Sequence, residues 1–381
     1  MKNYEVIIIG AGASGLMAAA RLVQRKKSVL VIDMGDVPAR KVAISGGGRC
    51  NFTNLAADFK HYYGQNPHFV HSALAQWTPC NTLNWVRAHK IAVYEKEPGR
   101  YFCKNGADDI VNALLHDARD VDFRYNTSVE NVEKNDDKFT ICTSDGKFSA
   151  RSVIVATGGL SYPHLGVSNI GHVIAKKFGH KIEPIRPALC AIKTKRFSAD
   201  LAGVSLPVEI KINKKKIIDD LLFTHFGIGG PVAYRATLLG TLKMTIDFAP
   251  GVDVFEFLRD AKIKNGKRTV ANILGAILPA KLARFLCDDA RRIADLRDTD
   301  LRTVATRVKG FEIDDATAVG MQSAEVTMGG ISTDKISSKT MESGVCAGLY
   351  FTGEVMDVTG DLGGYNLQWA FSSGFVAGTN A

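Results

Sequence analysis

Val6-Ile7-Ile8-Ile9-Gly10-Ala11-Gly12-Ala13-Ser14-Gly15, near the start of the chain, is the stretch from which the fold is read. The apolar β-branched run Val6–Ile9 has the character of a central parallel strand buried on both faces. After it, Gly10 permits a tight turn, Gly12 lets backbone approach a pyrophosphate, and Gly15 lets the next helix pack close on the sheet. That helix runs from Ser14 to about Gln24, and its first turn, with Ala13 and Ser14, offers unpaired N–H groups and a positive dipole end to phosphates. A second strand, Ser28–Ile32, ends at Asp33, eighteen residues beyond Gly15. A carboxylate there accepts ribose hydroxyls and repels a 2′-phosphate. Strand, glycine turn, helix and acid at this spacing predict a dinucleotide-binding α/β domain of the Rossmann type.

The far end carries a second signature, Gly353-Glu354 followed by Gly363-Gly364-Tyr365-Asn366. Two such signatures predict one cofactor site built from both ends of the chain, as a flavoprotein would have. A signal-peptide reading of Val6–Ala20 fails because glycines and Ser14 interrupt the apolar run and Arg21 follows it. No stretch reaches the roughly 18 apolar residues of a membrane helix. The expectation is a soluble cytoplasmic protein without a membrane partner.

Composition narrows the classes. With 381 residues and 46% hydrophobic content, the chain can build two or three domains. Its seven cysteines are scattered, with no Cys-x-x-Cys, which fits reduced thiols and argues against a disulfide scaffold, a zinc ribbon or a disulfide reductase. His68 and His71 are the one close histidine pair in sequence and lack a third ligand, so no metal site is expected. The net charge of +9 is spread, with short clusters at Lys214–Lys216 and Arg21–Lys27. Without a recognition module it reads as a basic surface favouring an anionic small-molecule substrate, not a specific nucleic acid. The oligomeric state is left open.

Between the two signatures, Lys41–Asn51 holds three consecutive glycines among polar residues. It is read as a cofactor wall formed by Lys41, Ser45, Gly46, Gly47, Arg49, Cys50 and Asn51, with Arg49 supplying fixed charge and Cys50 a packing residue. Residues 60–118 read as helical around a short strand, Ile91–Tyr94, with a turn at Gly99–Phe102 and a helix over Asp108–Ala118. Turns at Asn135–Asp137 and Asp145-Gly146 precede the apolar strand Val153–Val155, which ends in Ala156-Thr157-Gly158-Gly159. This order resembles the FAD domain of the glutathione-reductase type, in which Ala156, Thr157 and Gly158 approach the cofactor and Val129 packs near the adenine. From Cys190 onward, Val208–Ile212 and Leu242–Ile246 alternate like half-buried antiparallel strands. The loop Phe223–Gly230 opens a helix at Pro231, residues 253–309 read as helical, and the chain returns to the cofactor domain near Val326.

Lys41–Asn54, Ala156–Leu165, Leu222–Pro231, Val326–Ile331 and Gly348–Gly378 together resemble the YhiN-like (BaiN-like) bacterial flavoproteins, NAD(P)/FAD-dependent oxidoreductases, nearly end to end. The resemblance implies a discontinuous FAD-binding Rossmann domain over 1–189 and 322–381. It also implies a β-barrel-like insert over 190–252 and a helical subdomain over 253–321. The chain departs from that family's pattern at Ser168–His172, Cys103 and Gly229, outside the glycine fingerprint. By the same resemblance Gly353 and Glu354 meet the ribityl chain. Gly363, Gly364, Tyr365, Asn366 and Leu367 open a helix toward the flavin pyrimidine, with Tyr365 as a candidate wall of the ring and Trp369 read equally as wall or core.

The chemistry expected is hydride transfer through flavin N5 to a conjugated, enone-like C=C of a small molecule. A polarising or proton-donating group is sought first in His225, then in Tyr365, Tyr162 and Arg49. No second strand–glycine–helix unit is present, so NAD(P)H, if it is the donor, docks transiently. A flavoprotein monooxygenase and a flavin-bound redox or nucleic-acid-associated protein are the alternatives left open by the residues.

Overall fold

The buried run Val6–Ile9 occupies the middle of a parallel sheet, with the Lys2–Ile9 strand between Val29–Ile32 and Gly146–Val155. Asp122–Arg124 extends the sheet on one side. The Gly146–Val155 strand changes partners along its length. Its first half pairs antiparallel with Lys138–Thr143, itself paired with Val129–Asn135, and its last three residues pair in parallel with Leu349–Phe351. That switch sets the C-terminal strand two places from the N-terminal one. The computed structural model describes residues 1–287 and 290–381 and divides into two units, 1–186 with 325–381 and 187–324.

In the first unit the Ala13–Gln24 helix lies against the C-terminal Tyr365–Asn380 helix. The approach is close because the latter carries Gly374 and Gly378 on one face. A Cβ on Gly374 would fall 2.3 Å from the Ser14 carbonyl oxygen, and one on Gly378 would fall 2.6 Å from that of Ala18. The turn at Gly99 proves to be a hairpin. It joins Val93–Glu97 to Arg100–Cys103, which pairs in turn with Asn51–Asn54. Among the described residues no helix is long and apolar enough to cross a membrane.

The second unit is built on seven strands in one open antiparallel path, from Phe311–Ile313 through Met244–Asp247, Ser205–Ile212, Lys215–Thr224, Gly227–Gly229 and Ile192–Lys193 to Thr317–Ala318. The described strands do not close into the expected barrel. The helices Val254–Lys264, Ala280–Leu286 and Asp298–Lys309 bury Leu258, Leu282 and Leu301 in the same cluster as Val208, Ile210 and Ile246 of the sheet. Strands and helices here share one core, because the alternating strands leave an apolar face that only the helices cover.

Candidate functional site

The turn after the first strand forms as the glycine pattern requires. A Cβ on Gly15 would lie 2.0 Å from the Gly10 carbonyl oxygen, and one on Gly10 would lie 2.4 Å from that of Ala156. Both glycines therefore permit backbone crossing. Gly12 differs: nothing lies within 4 Å of the place its Cβ would take. It caps the Ala13–Gln24 helix without a side-chain acceptor and with no acid in the first turn. The first-turn N–H groups, which no side chain caps, can serve as an anion cradle for a pyrophosphate approaching over Gly12. Positions above Gly47, Gly48 and Gly158 are open in the same way.

Asp33 stands at the end of the second strand, and its carboxylate is already engaged. Oδ2 accepts from the Ala11 N–H at 2.7 Å, and Oδ1 accepts from the Gly35 N–H at 2.8 Å and from Arg40 at 3.3 Å. Oδ2 keeps a lone pair for a ribose hydroxyl. The Asp33 carbonyl accepts from Thr127, which brings Val129 to the same end of the sheet. Arg40 also donates to the Gly166 carbonyl at 3.3 Å, a role that no sequence motif announced.

The Lys41–Asn51 segment is a helix that breaks. Arg40 begins it, Ser45 turns extended, and Gly46, Gly47 and Gly48 follow at φ of 58°, 66° and 78°, a run that side chains would strain. Lys41 on the helical part donates to Ser161 Oγ at 2.6 Å and to Glu354 Oε2 at 2.7 Å. Glu354 Oε1 accepts from the Thr327 N–H at 2.7 Å. The Thr327 hydroxyl accepts from the N–H groups of Leu160 and Ser161 at 2.7 and 3.0 Å. Glu354 is therefore held in a network, and Ser161 and Thr327 are the partners that sequence reading missed. Nearby Glu325 is exposed, and its backbone carbonyl accepts from Ser161 Oγ at 3.4 Å. Desolvation pushes its side-chain carboxyl up, against the opposing pull of Lys41 and Arg100.

At the C-terminal signature, Gly363 and Gly364 are pressed onto the Asn51–Asn54 strand. Asn54 donates to the Gly363 carbonyl at 3.1 Å, and the Asn51 amide, with its oxygen toward Gly364, accepts from that N–H at 3.2 Å. Gly364 sits at φ 92°, and a Cβ there would meet the Thr53 carbonyl at 2.6 Å. Behind it starts the uncapped Tyr365–Asn380 helix, a second positive dipole end. The Arg100 guanidinium lies against Gly363, and its buried Nε has no partner. The guanidinium pairs with Glu97 through Nη1 at 2.5 Å, and its unpartnered Nε–H beside a glycine loop and a helix N-terminus fits an electron-accepting heterocycle that gains negative charge on reduction. Open cradles at Gly12, Gly47 and Gly158 complete the fit to an elongated dinucleotide such as FAD.

Other predicted residues go to the scaffold. The Tyr365 ring is buried and stacked on His61 at 4.6 Å. Asn366 clamps the backbone N–H and carbonyl of Gly360 at 2.7 and 3.0 Å, and Leu367 packs against the core. Trp369 is fully buried, its indole N–H on the Gly353 carbonyl at 3.2 Å, so it is core and not a ring wall. Gly353 itself lies over Ser14. Cys50 is buried beside Cys103, whose thiol is pushed up by the Cys50 sulfur and by desolvation, so Cys103 is not an activated nucleophile. Thr157 sets its hydroxyl against Gly171. Arg49 is exposed, Tyr162 is half-buried in a left-handed conformation, and His225 is exposed at the turn between Lys215–Thr224 and Gly227–Gly229 in the second unit.

Comparison with known proteins adds a family and several relatives. The family described as HI0933-like protein Rossmann domain matches residues 4–380. A ribosomal RNA dihydrouridine synthase of Haemophilus influenzae is 41% identical over 99% of this chain and 98% of its own length. One of the same name from Escherichia coli is 37% identical over 99% and 97%. A 3-dehydro-bile acid delta(4,6)-reductase of Clostridium scindens is 28% identical over 98% of both. Among solved structures, a 3-ketosteroid dehydrogenase of Rhodococcus jostii shares the fold, with a TM-score of 0.51 at 12% identity over 100% of this chain and 96% of that one.

Proposed function

The chain belongs to the HI0933-like Rossmann-domain family and is an FAD-dependent oxidoreductase, and on that premise we propose that it reduces the C5=C6 bond of a uracil base in ribosomal RNA. The observation that carries this reading is the end-to-end 41% identity to a ribosomal RNA dihydrouridine synthase. It agrees with the chemistry expected from the sequence. The uracil C5=C6 bond is conjugated to the C4 carbonyl, so the base is electronically an enone, as is the unsaturated ketone named for the bile-acid relative. The net charge of +9 favours a polyanionic substrate. Specific nucleic acid was not expected because no recognition module is present. An enzyme that extrudes a single base needs phosphate steering and a base pocket more than such a module.

When bound, FAD supplies a hydride at N5. The N–H groups after Gly12 would hold its pyrophosphate, and Asp33 would hold its adenosine ribose. Arg100 and the start of the Tyr365–Asn380 helix favour the reduced, anionic ring. Lys41 and Glu354 fix the wall between these ends. Reduction of an enone adds hydride at the β-carbon and a proton at the α-carbon. We assign the proton to Glu325, whose raised carboxyl stands near Lys41 and Arg100.

The test compares ribosomal RNA from cells with and without the gene, reading dihydrouridine by its two-hydrogen mass gain. The purified enzyme is then supplied anaerobically with NADPH or NADH and the deficient RNA. Loss of one dihydrouridine in the deletion and its restoration in vitro is the expected result. Unchanged RNA, together with turnover of a steroid enone, would move the substrate to a small molecule.

A further inference from the structure

Two helices of the first unit, Pro79–Ala88 and Asp108–Asp117, bring their C-terminal ends together. Their C-termini gather His89, His116 and Asp117, with one ligand atom of each lying within 4.8 Å of the others. We propose that this cluster binds a divalent transition-metal ion of the imidazole-preferring class, zinc foremost.

The hydrogen bonding of His89 is the first argument. Its Nδ1 lies 2.9 Å from the Trp85 carbonyl oxygen and its Nε2 lies 2.9 Å from Asp117 Oδ1. A proton between Nε2 and Oδ1 makes the second contact a hydrogen bond; an ion that displaces that proton leaves the ring N–H at Nδ1, on the Trp85 carbonyl, and frees the Nε2 lone pair. Lone pair and carboxylate are then both offered to the ion that replaces the proton.

The surroundings aim the ligands. The Trp85 indole donates to Asp117 Oδ2 at 2.8 Å, which turns Oδ1 toward His89 and toward His116 Nδ1 at 3.3 Å. A histidine N–H on a backbone carbonyl and an anchored carboxylate are the outer contacts that orient metal ligands. Zinc bonds of about 2.0–2.1 Å in a tetrahedron separate ligand atoms by roughly 3.3 Å. The two Asp117 edges, at 2.9 and 3.3 Å, need little adjustment.

The site also suits a cation electrostatically. Both helices present their negative dipole ends to it. His116 is 65% exposed, so the fourth position opens to water. The opposing charge is Arg119, whose guanidinium donates to the outer nitrogen of His116 at 3.4 Å and so holds the ring proton on Nδ1; that side chain, 62% exposed, swings away when Nδ1 gives up its proton to bind the ion. The spacing 89, 116, 117 matches no metal motif, and only the folding of two helix ends onto each other brings the ligands together. An ion there would clamp those ends.

Full-length flavin-loaded protein, stripped with a chelator, is titrated with zinc chloride by calorimetry and its thermal unfolding followed. The expected result is one saturating equivalent and a raised melting temperature. The affinity falls at least about tenfold in His116→Ala and Asp117→Asn. It is unchanged in His71→Ala, which breaks the other close histidine pair, 3.4 Å apart. His116 is exposed, so its variant folds. No saturable equivalent, equal binding in His116→Ala, or loss in His71→Ala would overturn the site. Equal binding of magnesium chloride would overturn the metal class.

Discussion

Replacing Gly374 with Ala tests the joint between the two ends of the chain. The new methyl would stand 2.3 Å from the Ser14 carbonyl oxygen and 3.0 Å from its carbon, backbone atoms that no rotamer change can move. The two helices must part by about 1 Å to restore ordinary contact. Overpacking of this kind costs about 1–3 kcal/mol, and the backbone clash puts it at the upper end. Against this, alanine gains about 1 kcal/mol of helix propensity over glycine. The net is a loss of about 2 kcal/mol, a fall in Tm of roughly 4–8 °C. Because Ser14 lies in the first turn of the phosphate-facing helix, the same shift should loosen FAD. The assay is thermal unfolding with flavin fluorescence as a second signal. Gly106→Ala serves as control, since the nearest atom to its Cβ is 3.9 Å away. A variant melting at or above the parent would show slack between the helices and would refute the argument.

Gly12→Asp should fold normally, since its Cβ meets nothing within 4 Å, yet purify without flavin because a carboxylate occupies the anion cradle; FAD retained at parental stoichiometry would count against that cradle. Glu325→Gln should lower kcat by about 10²–10⁴ with KM little changed. Its carboxyl is raised, so the protonated donor is present at low pH and lost as pH rises through that pKa; the alkaline limb of the parent profile should therefore disappear in the variant. Arg100→Met should lower the flavin midpoint potential by removing the cationic donor beside Gly363, and an unchanged potential would place Arg100 away from the ring.

The fingerprint was legible because its information is local. Val6–Ile9 must be buried on both faces, and Gly10, Gly12 and Gly15 are needed within one turn of backbone, so ten residues fix strand, crossing and helix start. The C-terminal glycines were legible for the same reason, since Gly364 answers to a close backbone beneath it. Side-chain roles at the ends of those motifs were less so. Asn366, Leu367 and Trp369 lie inside a recognisable tract but face the scaffold, because helical periodicity alternates faces within any tract.

The sequence by itself thus determined a Rossmann-type domain, its flavin class and the two chain ends that serve it. Tertiary structure alone decided which distant residues meet. Lys41 reaches Glu354 across 313 positions, Thr53 reaches Gln368 across 315, and Arg100 comes to rest against Gly363. It also set His89 beside Asp117 and merged the inserted strands and helices into one core. Backbone conformation depends on neighbours a few residues away, whereas a hydrogen bond between remote side chains depends on which strands pair and which helices cross.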